Sequence, residues 1–214
     1  MINQKYCELL QKHGPQGWWP LMDVKGCNPT KTGSSRGYHP GDYSYPKNEK
    51  QRFEICLGAI LTQNTSWTNV EKALYNLYEI NCIDPKKILK IDDEKLKKAI
   101  RSAGYFNQKA KKLKIFADFF IKLNNVPTRE KLISLWGIGP ETADSILLYA
   151  HKKPFFVVDA YTRRIFSRLG VIDANDNYEN IRKLFEDSLP RDYKVYQEYH
   201  ALIVEEGKNL LFNS

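Results

Sequence analysis

Residues 126–150, VPTREKLISLWGIGPETADSILLYA, constrain this chain more than any other stretch. Thr128 can cap a short helix that runs through Leu135, because its hydroxyl can take a free N–H of the first turn. Trp136, Gly137, Ile138 and Gly139 then form a tight turn, in which two glycines let the backbone bend and approach a ligand with no Cβ in the way. Pro140 opens a second helix at the position where a missing N–H costs nothing. That helix directs its free amides and positive dipole end outward, which suits an anion such as a phosphate. Ile138, between the glycines, is expected to plug into the core and hold the turn. Taken alone, the pattern also fits a helical pair with no ligand.

From residue 50 onward apolar residues recur at helical spacing. Phe53, Leu57, Ile60 and Leu61 mark one helix, and Trp67, Val70, Leu74, Leu77 and Tyr78 another. Further helices follow around Leu96 and Ile100, around Leu113, Phe116 and Phe120, and over 140–150, 160–169, 178–188 and 192–207. Phe155 to Val158 reads as extended but is too short to build a sheet. The expected class is all-α. Residues 21–49 break the rhythm with Gly26, Pro29, Gly33, Ser34, Ser35, Gly37, Pro40, Gly41 and Pro46. Tyr38, Tyr43 and Tyr45 in that stretch point to an ordered, DNA-facing loop, since disordered linkers are usually poor in tyrosine.

The 214 residues are 42% hydrophobic, enough for one sizeable core or two small lobes around a cleft. A formal charge of +8 suits a polyanionic partner, of which nucleic acid is the commonest. Cys7, Cys27, Cys56 and Cys82 have no C-x-x-C pairing, which argues against a zinc or iron–sulfur site and for free thiols in a reducing compartment. No signal-like or membrane-spanning run is visible, so a cytoplasmic protein is expected, nucleoid-associated in a prokaryote.

Leu135, Gly137, Ile138, Gly139, Thr142 and Ala143 resemble the helix-hairpin-helix of the endonuclease III superfamily of DNA glycosylases. The likeness continues through Pro154 and Phe155 to Val158 into Asp159, which matches the family's loop ending in a catalytic aspartate. Read without the family, Asp159 is an N-cap of the helix carrying Arg163, Arg164 and Arg168; a capping carboxylate is also rigid and ionised. The resemblance implies that Asp159 stabilises the positive charge that develops on the sugar as a glycosidic bond breaks, or orients the attacking water.

Members of the family that also cut the strand carry a Schiff-base lysine two residues after the last hairpin glycine. Glu141 stands there in this chain. A carboxylate cannot form an imine, so the resemblance implies a monofunctional glycosylase. Glu141 itself reads as a helix-dipole partner. The family's four-cysteine cluster is missing, and the expected cofactors are none, although a monovalent cation could sit at the hairpin.

GAILTQNTSW at 58–67 resembles the family segment that enters the DNA stack, with Gln63 where a side chain fills the space of the flipped base. SAGYFNQKAKKL at 102–113 resembles a second DNA segment, with Gly104 and Tyr105 at a turn. Gly17-Trp18-Trp19-Pro20 and LTQNT followed by Trp67 resemble the 3-methyladenine glycosylases of the endonuclease III class. Trp18, Trp19, Pro20 and Trp67 are therefore the expected pocket, with at least one of the adjacent tryptophans facing the base. A purine methylated on a ring nitrogen is cationic, which suits aromatic faces.

The expectation is a monomer that binds damaged double-stranded DNA. Residues 1–20 and 110–214 form one lobe and residues 50–110 the other, with 21–49 as a long loop. Removal of mismatched thymine or uracil is the enzymatic alternative, and a silent DNA-binding module the non-enzymatic one.

Overall fold

A computed structural model describes residues 1–30, 36–173 and 175–212. Residues 31–35 of the long loop, with Gly33, Ser34 and Ser35, lie outside the described residues. Among those described, every regular element is helical. The elements are α1 (Ile2–His13), α2 (Glu49–Leu61), α3 (Trp67–Glu79), α4 (Pro85–Lys90), α5 (Asp93–Ala99), a 3-10 turn (Arg101–Ala103), α6 (Phe106–Ile121), α7 (Arg129–Ile133) and α8 (Pro140–Ser145). A π turn (Ile146–Ala150), α9 (Ala160–Arg168), α10 (Tyr178–Ser188) and α11 (Tyr193–Phe212) complete the chain. The periodicity read from residue 50 onward leaves out α1, although its Ile2, Tyr6, Leu9 and Leu10 recur at helical spacing, and it does not mark α4, which has six residues and buries only Ile88.

The centre of the molecule is α2. Asn48 caps it by accepting from the Gln51 amide, and every residue from Phe53 to Leu61 is buried. From Ile55 to Leu61 the helix is apolar on all sides, which sends it inside, and the one buried carboxyl before that run, Glu54, accepts from the Met22 amide at 2.7 Å. It packs against α3 and α6 on one side and the π turn and α8 on the other. Gly58 lets the Trp19 indole lie against this helix, since a Cβ there would sit 2.9 Å from the ring. The buried ammonium of Lys109 donates to the carbonyls of Leu61 at 2.9 Å and Ala103 at 2.7 Å, closing the ends of α2 and the 3-10 turn. Cations are favoured at such helix ends.

Helix α11 packs on α1 and α9, and the Tyr199 hydroxyl donates to the Ile2 carbonyl at 2.7 Å. Both ends of the described chain are thereby joined. Helices α4, α5 and the 3-10 turn pack on α6. Residue 110 falls inside α6, so a lobe boundary placed there would cut a continuous helix.

The hairpin is locked by charge. Arg129 on α7 makes a two-pronged contact with Asp144 on α8, at 2.6 and 3.1 Å, and reaches Glu179 on α10 at 2.6 Å. The Asp144 side chain is fully buried. No described helix is long and apolar enough to cross a membrane.

Candidate active site

Thr128 caps α7 as expected, accepting from the Lys131 amide, and Pro140 occupies the first turn of α8. Gly137 adopts φ 80°, the left-handed region that favours glycine. Gly139 is extended, at φ −92° and ψ 177°, so the turn needs only one glycine for its backbone shape. A Cβ at Gly139 would meet open space, which leaves that backbone approachable from outside. Ile138 is buried, as its position between the glycines suggests, and Trp136 is exposed beneath the Lys111 ammonium. Beyond Ser145 the second helix passes into a π turn rather than running on as α-helix to residue 150.

Asp159 caps α9. Its Oδ1 accepts from the Thr162 amide at 2.7 Å and hydroxyl at 2.9 Å, while Oδ2 lies 3.5 Å from Nε2 of His200 on α11. That separation suits an electrostatic contact rather than a formed hydrogen bond. Burial works against the charged carboxylate, but His200 and Thr162 outweigh it and hold the group below its usual range. The apolar run before it supplies the rigid seat: Phe156, Val157 and Val158 are all buried, without forming a strand.

Asp159 opens into a cavity of about 390 Å³. Trp18, Trp19 and Trp67 form its aromatic wall, with Trp18 centred 4.5 Å and Trp19 5.2 Å from Trp67, edge to face. Both adjacent tryptophans thus line the space: Trp19 is buried against α2, and Trp18 is half-buried. Pro20 is buried but does not line the cavity, a correction to its expected place in the pocket. The long loop braces this wall from outside. His39 reaches the Trp19 carbonyl at 3.0 Å, Tyr38 lies edge-on to Trp18, and the Tyr43 hydroxyl donates to Glu198 on α11 at 2.6 Å.

Gln63 lies at the rim. Its amide nitrogen donates to the Gly137 carbonyl at 3.0 Å and the Thr142 hydroxyl at 2.9 Å, and the Lys112 ammonium donates to its oxygen. The segment after α2 is thereby tied to the hairpin. Gly104 and Tyr105 lie away from the cavity lining, at the turn that starts α6, both with positive φ. Tyr105 is exposed and projects from this turn.

Glu141 is more than a helix-dipole partner. It lines the cavity from the first turn of α8, and although it remains open to solvent at the rim, desolvation by the cavity walls and then the charge of Asp159 push its carboxyl up to about 7. His200, Tyr161 and Lys208 also line the cavity and were not found by sequence reasoning. Burial lowers the Lys208 ammonium below its ordinary value, and Glu205 is 3.8 Å away. The spacing of His200, Val204 and Lys208, four residues apart on α11, places all three on one helix face. That stripe was the available signal.

Among the described residues, seven buried side-chain polar atoms lack a hydrogen-bond partner, and five are carried by residues that line this cavity: Trp18, Trp19, Thr62, Trp67 and His200.

Residues 57–191 match the HhH-GPD superfamily of base excision DNA repair proteins. The chain belongs to that superfamily. A relative in Methanocaldococcus jannaschii, named a DNA repair glycosylase, is 42% identical over 97% of this chain and 87% of its own length. Endonuclease III of Thermotoga maritima is 30% identical over 78% of each chain. The crystal structure of Helicobacter pylori 3-methyladenine DNA glycosylase bound to 1,N6-ethenoadenine superposes with a TM-score of 0.73 at 29% identity, covering 98% of this chain and 96% of that one. The HhH-GPD chain is thus a DNA glycosylase of base excision repair with the all-helical fold of its family. DNA is its partner.

Proposed function

We propose that the chain is a monofunctional DNA glycosylase that removes alkylated purines of the 3-methyladenine type from duplex DNA. One observation carries this reading: three tryptophans wall the cavity into which Asp159 opens, while Glu141 stands where the resemblance places a Schiff-base lysine. The likeness to the Helicobacter pylori 3-methyladenine enzyme supports the same lesion class.

The hairpin backbone at Gly137 to Gly139 holds a phosphate, and Gln63 and Tyr105 support the duplex as the damaged nucleotide turns outward. The base stacks among the tryptophans. A ring-methylated purine carries a positive charge, which the indole faces and the nearby carboxylates attract. Its glycosidic bond is already weakened, so cleavage asks mainly for stabilisation of the sugar cation. Asp159 supplies that through Oδ2, because Oδ1 is committed to Thr162. Hydrolysis of this kind requires no cofactor, and one copy of the chain carries the whole site.

Release from duplexes containing 3-methyladenine, 7-methylguanine, uracil or mismatched thymine tests the lesion class. Preferential release of the methylated purines is expected; release confined to uracil or thymine overturns the assignment. Borohydride tests the absence of a lyase step. No covalent adduct is expected, and strand breaks should follow only alkali. Efficient trapping through any lysine would refute the monofunctional reading; Lys208 lines the cavity, so loss of such an adduct in Lys208→Arg would identify it as the amine.

A further inference from the structure

We propose that His200 is a positioning residue for Asp159, holding the Oδ2 oxygen toward the cavity with its Nε2–H while Tyr149 fixes the imidazole from behind. The inference rests on Asp159 being the acting carboxylate of the proposed glycosylase.

The geometry has three parts. Asp159 Oδ1 is held by two bonds from Thr162, which leaves Oδ2 as the oxygen free to act. Nε2 of His200 is buried, lacks a hydrogen-bond partner in the protein, and lies 3.5 Å from that oxygen. On the far side of the ring, Nδ1 lies 2.7 Å from the Tyr149 hydroxyl, which in turn is 3.2 Å from the Gln197 carbonyl.

These contacts restrict where the ring proton sits. A bare Nε2 lone pair would face an ionised carboxylate and be repelled, so Nε2 carries hydrogen. The Tyr149 hydroxyl can then donate to Nδ1 of a neutral ring, or accept from Nδ1 of a doubly protonated ring and donate to the Gln197 carbonyl. In either arrangement the Nε2–H points at Oδ2, and a small approach converts the 3.5 Å contact into a charge-assisted bond. A fixed donor selects one carboxylate rotamer in a cavity that otherwise offers Oδ2 little guidance.

The ionisable neighbours are few. Asp159 faces the ring from the start of α9, Tyr149 from the π turn, and Glu141 from α8, while Tyr161 of α9 and Lys208, two turns further along α11, line the same cavity. Burial keeps the Tyr149 hydroxyl neutral by raising it well above its ordinary value. Asp159 is the anion in contact with the ring.

The test measures single-turnover excision across pH on whichever lesion the wild-type protein releases, and the Asp159 carboxyl titration by carbon-13 NMR in the substrate-free protein. His200→Leu should slow excision roughly ten- to a hundredfold, the rate equivalent of one hydrogen bond to a charged group. The Asp159 midpoint should rise, carrying the acid limb of the rate profile to higher pH. His200→Gln, whose amide can reach the place of Nε2, should recover most of the rate at neutral pH. In an Asp159→Asn background, His200→Leu should cause little further loss, because it acts through the missing charge.

A His200→Leu protein with the wild-type rate and an unmoved Asp159 midpoint overturns the proposal. So does a loss that persists undiminished in the Asp159→Asn background. If His200→Leu does not fold, His200→Asn, polar but too short to reach Oδ2, replaces it with the same expected shift and the same refuting result. Should the wild-type protein release no base, the functional proposal fails, while the NMR titration still decides the role of His200.

Discussion

Replacing Asp159 with asparagine isolates charge from shape. The variant keeps an oxygen for the Thr162 amide and hydroxyl, now at 2.7 and 2.9 Å, so the start of α9 should stay capped. Loss of stability should remain within about 1 kcal/mol, the scale of a weakened cap. What disappears is the anion at Oδ2. A full unit charge about 4 Å from it, at an effective dielectric near 20, would be stabilised by about 4 kcal/mol. The sugar carries only part of that charge at the transition state, so the loss should be about 2–4 kcal/mol, or roughly thirtyfold to a thousandfold in rate. The amide that replaces Oδ2 also presents a donor to the donor of His200, which adds a smaller cost. Excision is measured under single-turnover conditions with enzyme in excess, beside DNA affinity and a thermal melt. Affinity and melting should change little while excision falls. A well-folded Asp159→Asn protein that excises every tested lesion at the wild-type rate would reduce Asp159 to a cap and refute the reasoning.

Gly139→Asp places an anion at open hairpin backbone without a steric clash, so binding to damaged and undamaged DNA should weaken alike; unchanged affinity of the folded variant would remove the phosphate role. Trp18→Ala is the cleanest probe of the aromatic wall, because Trp19 and Trp67 are buried in the core. It should lower release of a methylated purine about tenfold or more, with nonspecific binding intact, and full activity would argue against stacking there. Glu141 ionises as pH rises through about 7, burial and then Asp159 having pushed it up, and the added negative charge should increase release of a cationic base. Glu141→Gln should flatten that rise; an unchanged pH profile would show that Glu141 does not face the base. Arg129→Ala strands the fully buried Asp144 carboxylate, with Arg182 at 4.0 Å as its remaining cation. The expected loss is about 3–5 kcal/mol, or roughly 10 °C in melting temperature, and a drop of under about 2 °C would mean that the ion pair is not what locks the hairpin.

The all-helical class, the hairpin and the cap at Asp159 were legible from the chain because their signals are local, whereas Trp18, Trp19 and Trp67 were reached only through the family resemblance. Apolar spacing, a glycine between two helices and a carboxylate before a helix each act over a few residues. Helix α10 lies at residues 178–188, where periodicity alone places it. The turn at Gly137 and the burial of Ile138 likewise need no distant partner to be recognised. Glu141 was visible as a departure at a known position, but its chemistry was not.

The tertiary structure decided what surrounds those residues. The stripe of His200, Val204 and Lys208 marks one face of α11, but nothing local announces that His200 meets Asp159, 41 positions earlier, since a helix face acquires its meaning from the element packed against it. The same holds for the loop: only folding brings His39 to the Trp19 carbonyl and Tyr43 to Glu198. It also decided that Trp18 and Trp19 both line the cavity while Pro20 lies behind it, and that Glu141 sits close enough to Asp159 for its proton affinity to rise. Helix signals are carried by covalent neighbours and the backbone. Burial, charge coupling and cavity shape depend on contacts between residues far apart in the chain, which the sequence alone does not pair.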